Sequence, residues 1–146
     1  MYKRQLPLDR NDPVNWRASM TPGGNPGALD ATSFTGSPTA DADGDGASAF
    51  LEYALGTSDT APTSSPVTAP VSLDQTGMIF TFARRLSADD VAYAIESSAD
   101  LLTWNRATSE LLSRTQNDEV VTEAHRIVPA SPAPSRLFVR VRATPR

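Results

Sequence analysis

The chain has 146 residues and a formal net charge of −4, a balance that disfavours nonspecific binding to the nucleic acid backbone. Cysteine is absent, which excludes a disulfide framework and any thiolate metal site. No stretch approaches the roughly eighteen apolar residues that a membrane-spanning helix requires.

Residues 1–5, Met-Tyr-Lys-Arg-Gln, contain Lys3, the only lysine against twelve arginines. The segment resembles a translated sequencing adapter and is set aside, so the natural amino terminus is expected to lie elsewhere, in a longer protein. In residues 6–29, Val14, Trp16 and Ala18 alternate with polar neighbours before the dense turn signal Thr21-Pro22-Gly23-Gly24-Asn25-Pro26-Gly27. One strand does not fold alone, so this piece reads as the last strand and exit turn of a preceding domain. Trp16-Arg17-Ala18-Ser19 followed by Gly23-Gly24-Asn25-Pro26-Gly27-Ala28 resembles the closing segment of bacterial lamin-tail domains, which are immunoglobulin-like sandwiches.

Residues 41–52 match the calcium-loop template Asp-x-(Asp/Asn)-x-(Asp/Asn)-Gly, five residues, then Glu, without a mismatch. In such a loop carboxylates at positions 1, 3, 5 and 12 surround one Ca²⁺, and a backbone carbonyl at position 7 adds an oxygen. Here those are Asp41, Asp43, Asp45, Glu52 and the carbonyl of Ala47, with Gly46 at the sharp turn. Residues 30–60 hold six acids and no base, and converging carboxylates repel unless a cation sits among them. The competing reading is an acidic linker that stays solvated. Against it, residues 47–56 predict a short helix ended by Gly56, with Phe50, Leu51, Tyr53, Ala54 and Leu55 in one apolar stripe and Glu52 pointing away from it. Gly36 and Pro38 exclude an entering helix, and no second loop follows. The loop resembles a single EF-hand or dockerin-type site used for structure, a class that binds Ca²⁺ weakly in extracellular modules.

Residues 57–69 form a Pro/Ser/Thr linker. Beyond it, residues 70–146 predict a small antiparallel β-sandwich, so the chain as a whole is expected to be mainly β. Strands are expected at 71–74 and 78–85, with a turn at Gln75-Thr76-Gly77 and with Met78, Phe80 and Phe82 on one face. A polar turn at 86–90 leads to a strand at 91–98, then to a loop that tucks Leu101 and Trp104 inward. Three more strands are expected at 107–113, 119–128 and 136–142. In the last, Leu137, Val139 and Val141 face opposite to Arg136, Arg140 and Arg142.

Several residues invite chemistry. His125 is the only histidine, so neither a triad nor a zinc site has much to be built from, and it reads as a surface or edge residue. The adjacent acids Asp89-Asp90 and Asp118-Glu119 read as solvated turn residues rather than a glycosidase pair. Trp104 and Tyr93 offer a sugar platform or, more simply, core and loop anchors. Arg84, Arg85, Arg140 and Arg142 offer sites for an anionic polysaccharide or a soluble sheet face.

Phe80-Thr81-Phe82 with Arg84-Arg85, the run from Tyr93 through Glu96, Ser98, Asp100 and Leu101 to Trp104, and Phe138-Val139-Arg140-Val141-Arg142 together resemble a domain at the carboxyl ends of large secreted proteins of environmental bacteria. Glu52-Tyr53-Ala54-Leu55-Gly56 after an Asp-Gly-rich loop resembles the same context. The resemblance implies an extracellular or cell-surface location and a noncatalytic terminal module. Together with the loop, the expectation is a monomer that binds calcium and spaces, caps or attaches upstream domains. An alternative is a carbohydrate-binding sandwich that holds cell-surface polysaccharide for an extracellular enzyme. Lamin-tail segments accompany extracellular nucleases, so the longer protein is open to catalysis even where this piece is not.

Overall fold

A computed structural model describes residues 19, 23–24, 31–62, 71–74, 77–128 and 134–146. The segments expected at 1–18 and in most of 20–30, and the linker from 63 to 70, lie outside the described residues. The elements are one helix, α1 (Ala49–Leu55), and the strands β1 (Val71–Asp74), β2 (Gly77–Arg85), β3 (Val91–Ser98), β4 (Asn105–Arg106), β5 (Thr108–Asn117), β6 (Val120–Val128) and β7 (Phe138–Pro145).

The strands form two antiparallel sheets, ordered β1-β2-β6-β5 and β4-β3-β7. Period-2 patterning explains how they stack. Phe80 and Phe82 of β2, Ile95 of β3 and Ile127 of β6 are buried together, with Met78, Tyr93, Leu137, Val139 and Val141 packed around them. The architecture is the mainly β sandwich with one short helix that the patterning implies. Between Arg106 and Thr108 the chain changes sheets, and the Ala107 N–H donates to the Ile95 carbonyl at 2.8 Å across that step.

A second core lies at one end, where Ala54 of α1 meets Ala88 and Val91, flanked by Phe50, Tyr53 and Tyr93. Phe34 packs on Phe50 and Tyr53 with ring centroids 5.3 and 5.4 Å apart, so the chain ahead of the loop joins this core. The 86–90 turn is not the polar surface turn expected from its sequence. Leu86, Ser87 and Ala88 are buried because residues 31–34 lie across them. The Thr32 N–H donates to the Ser87 carbonyl, and the Phe34 N–H donates to Asp90 Oδ2 at 2.8 Å.

Other expectations shift. Leu101 is not tucked inward; it is 54% exposed and has a positive φ of 64°. Trp104 does anchor its loop, with its Nε1–H donating to the Leu101 carbonyl. The strand expected at 107–113 runs on to Asn117, and the last strand begins at Phe138 and ends at Pro145.

Candidate metal centre

Residues 41–48 are shaped by side chains that turn back on their own backbone. Asp41 accepts from the Gly44 and Gly46 N–H groups at 2.8 and 3.1 Å. Asp43 accepts from the Asp45 N–H at 3.1 Å, and Asp45 from the Ala47 N–H at 2.8 Å. Gly44 and Gly46 take φ values of 75° and 91°, which a side chain would penalise. The loop is cinched where the Ala49 N–H donates to the Ala40 carbonyl at 2.7 Å.

Asp41, Asp43 and Asp45 each offer a carboxylate oxygen, and these oxygens lie within 4.8 Å of one another. At that separation two like charges repel by roughly 3 kcal/mol for an effective dielectric near 20. Glu52 falls outside this three-residue group but is fully buried beside it. Burial pushes its carboxyl pKa above the ordinary value, and the charges of Asp43, Asp45 and Asp59 push the same way against a hydrogen bond from Thr57. The helix buries more than the apolar stripe of the sequence: Glu52 is as inaccessible as Ala54.

Three buried carboxylate oxygens have no hydrogen-bond partner: Asp43 Oδ2, Asp45 Oδ2 and Glu52 Oε2. Buried polar atoms are nearly always paired, so three such carboxylate oxygens in one neighbourhood fit a cation. All the donors are oxygens of hard carboxylates, with neither imidazole nor thiolate, which suits Ca²⁺ or Mg²⁺ rather than a transition metal. Ala47, the expected carbonyl donor, is buried at the end of the loop.

Local capping holds Glu52 in place. Ser48 is the N-cap of α1, its Oγ accepting from the Leu51 N–H at 3.4 Å, so the helix begins two residues later than the apolar pattern suggests. Gly56 ends it at φ 82°, and both its N–H and that of Thr57 donate to the Glu52 carbonyl. The Thr57 hydroxyl donates to Glu52 Oε1 at 3.2 Å, and Asp59 accepts from the Ala42 N–H. Neither Thr57 nor Asp59 belongs to the twelve-residue template, so only three-dimensional proximity reveals them.

The helix is fastened to the sandwich by polar contacts. The Tyr93 hydroxyl donates to the Ala54 carbonyl at 2.6 Å, Arg85 Nε to the Tyr53 carbonyl at 3.0 Å, and the Tyr53 hydroxyl to Asp90 Oδ1 at 2.8 Å. Asp90 is therefore an anchor for α1 and not the solvated loop acid its sequence context suggests. Tyr93 is a core anchor, its pKa raised by burial.

The other candidates resolve as follows. Arg140 and Arg142 both pair with Glu96, and Arg140 also lies 4.1 Å above the Trp104 ring, covering one face of that platform. Arg85 pairs with Glu119. His125 is neither at the surface nor at an edge: its side chain is 15% exposed, on β6 between β2 and β5, and its ring stacks on Phe82 at 5.8 Å. No protein family, curated protein or solved structure matches this chain.

Proposed function

We propose that this chain is a calcium-dependent, noncatalytic structural module of a larger secreted or cell-surface bacterial protein. Its sandwich is stiffened where the acidic loop closes on Ca²⁺, and its task is to space or attach neighbouring domains. The observation that carries the reading is the trio of buried, partnerless oxygens on Asp43, Asp45 and Glu52. Asp41, Asp43, Asp45, Glu52 and the Ala47 carbonyl would hold the ion, and the Glu52–Thr57 contact would orient the carboxylate that reaches back from the helix. The ion's contribution is charge neutralisation. The chain's own residues do the rest, since Tyr53, Tyr93 and Arg85 tie α1 to the sandwich and so link the loop's order to the stability of the β domain.

Isothermal titration with CaCl₂, after exhaustive chelation, tests this directly. Saturable binding of one ion, lost on Asp45→Asn, is expected. A flat titration at millimolar Ca²⁺ defeats the proposal. A neutral-sugar platform on Trp104 is the second reading, with one face of that ring already covered by Arg140.

A further inference from the structure

The interior of the sandwich is apolar at one end and charged at the other. Along β2 the inward positions run Phe80, Phe82, Arg84, and along β6 Ile127, His125, Glu123, since Phe82 stands opposite Glu123 and Phe80 opposite His125. On β5 the register slips between Leu111 and Ser113, leaving Leu112 as the extra residue. That bulge sets Arg114, rather than Ser113, opposite Glu123. The facing sheet does not cover this charged end. β4 has only two residues and pairs only with Glu96 and Ser97, so a cleft opens between β5 and the unpaired flank of β3.

The cleft has a volume of about 380 Å³, within the range of small-ligand sites. Arg84, Arg106, Arg114, Ser109, Glu123 and His125 line it with Phe82 and Tyr93, and Asp89 and Arg146, of opposite charge, line it too. Its donors and acceptors do not balance. Glu123 Oε1 receives Nε and Nη2 of Arg84 at 3.1 and 3.0 Å, and Nε and Nη2 of Arg114 at 3.0 and 2.8 Å. The two Nε–H hydrogen bonds already fill the two lone-pair directions of that oxygen. Its other oxygen is 3.3 Å from His125 Nε2. Arg106 pairs with no carboxylate among the described residues, so the cleft sets four guanidinium groups, those of Arg84, Arg106, Arg114 and Arg146, against the carboxylates of Glu123 and Asp89. Such a surplus seeks an oxyanion, and the guanidinium fork is built for carboxylate or sulfate.

Ser109, His125 and Glu123 also follow one another, with Ser109 Oγ 3.5 Å from Nδ1. A nucleophile relay is disfavoured: Ser109 Oγ lies at the 3.5 Å limit from Nδ1, and Glu123 is already engaged by Arg84 and Arg114.

We propose that this cleft binds a small carboxylate- or sulfate-bearing ligand the size of one acidic sugar, its anionic group held by Arg106 and Arg114 beside the Arg84–Glu123 pair. The inference does not depend on the calcium reading, and its test uses calcium-saturated full chain. His125 is the chain's sole histidine, so its imidazole NMR signals report on this cleft alone. D-glucuronate, glucose 6-sulfate, glucose and NaCl at matched ionic strength are titrated in turn. A saturable His125 shift in the millimolar range with glucuronate, with the sulfate or with both is expected, and which of them acts identifies the anion. Arg114→Gln should weaken it at least about tenfold, the loss of one charge-assisted contact. Arg106→Gln, at an exposed position with no ion pair, should weaken it without altering the melting temperature. Equal shifts with glucose or NaCl, no saturable shift at all, or shifts indifferent to both substitutions overturn the proposal.

Discussion

Replacing Glu52 by Gln separates a metal ligand from an ordinary buried residue, because the two roles predict opposite signs. Glutamine keeps the volume and the Thr57 contact but removes the charge. Among the protein's own groups, Glu52 is fully buried, its Oε2 has no hydrogen-bond partner, and it feels the charges of Asp43, Asp45 and Asp59. Its folded pKa lies above its ordinary value of 4.5, so its contribution to stability is complete below that value and is lost as pH rises through the folded pKa. At neutral pH in chelator the E52Q variant should therefore melt at or above the wild type. With calcium the order reverses. For a dissociation constant of about 10⁻⁴ to 10⁻³ M, 10 mM Ca²⁺ stabilises the wild type by RT ln(1 + [L]/Kd), about 1.4 to 2.7 kcal/mol. At roughly 4 °C per kcal/mol for a chain of this size, that is about 6 to 11 °C, most of which E52Q should forfeit. Differential scanning calorimetry of both proteins with and without Ca²⁺ reads the crossing. An E52Q variant that melts lower by the same margin in both conditions, or a wild type indifferent to Ca²⁺, would refute the reasoning.

Other substitutions probe the framework around the loop. Gly56→Ala forces a side chain onto φ 82° and brings Cβ to 2.8 Å from Val120 Cγ2, so a loss of more than about 1 kcal/mol is expected in urea unfolding. Tyr93→Phe removes the hydroxyl that donates to the Ala54 carbonyl, and should cost about 1 kcal/mol and reduce the calcium-induced rise in melting temperature. Acid should weaken the sandwich through three depressed carboxyls. Hydrogen bonds from Arg140 lower Glu96, and backbone N–H groups of Thr103 and Leu102 hold Asp100 at about 2. Burial pushes Glu123 upward, but the charge of Arg84 and hydrogen bonds from His125, Arg84 and Arg114 outweigh it and leave it low. Each group's stabilisation is complete above its ordinary pKa of 4.5 or 3.8 and is lost as pH falls through the folded value. Chemical denaturation from pH 6 to pH 2 should therefore show stability falling below about pH 4.5, and a flat profile would contradict these pairings.

The strands were legible because alternation is dense where burial is strong: Met78, Phe80 and Phe82 mark β2 without ambiguity. The same parity extends to Arg84, and on β6 it groups Glu123 and His125 with Val121 and Ile127. Charged residues at inward positions were nonetheless read as surface, since their burial depends on partners from other strands. The β5 bulge that delivers Arg114 leaves no mark in the sequence, where Leu111-Leu112-Ser113 fits either register. The clustering of Asp41, Asp43 and Asp45 was legible because the loop's geometry is local and its template is dense. Thr57, Asp59 and Asp90 were not, since each gains its role only when the helix docks. The buried 86–90 turn was misread for the same reason, its cover coming from residues more than fifty positions earlier.

Asp90 gathers strands of chain from far apart. Its side chain receives Phe34 and Tyr53, and its carbonyl accepts the Arg146 N–H at 2.9 Å. Residues 34 and 146 thus meet at one residue. Tension drawn between residues 34 and 146 would load a short latch of hydrogen bonds there before it reached the sheets, so the module would yield first by unclasping, with its β core still folded.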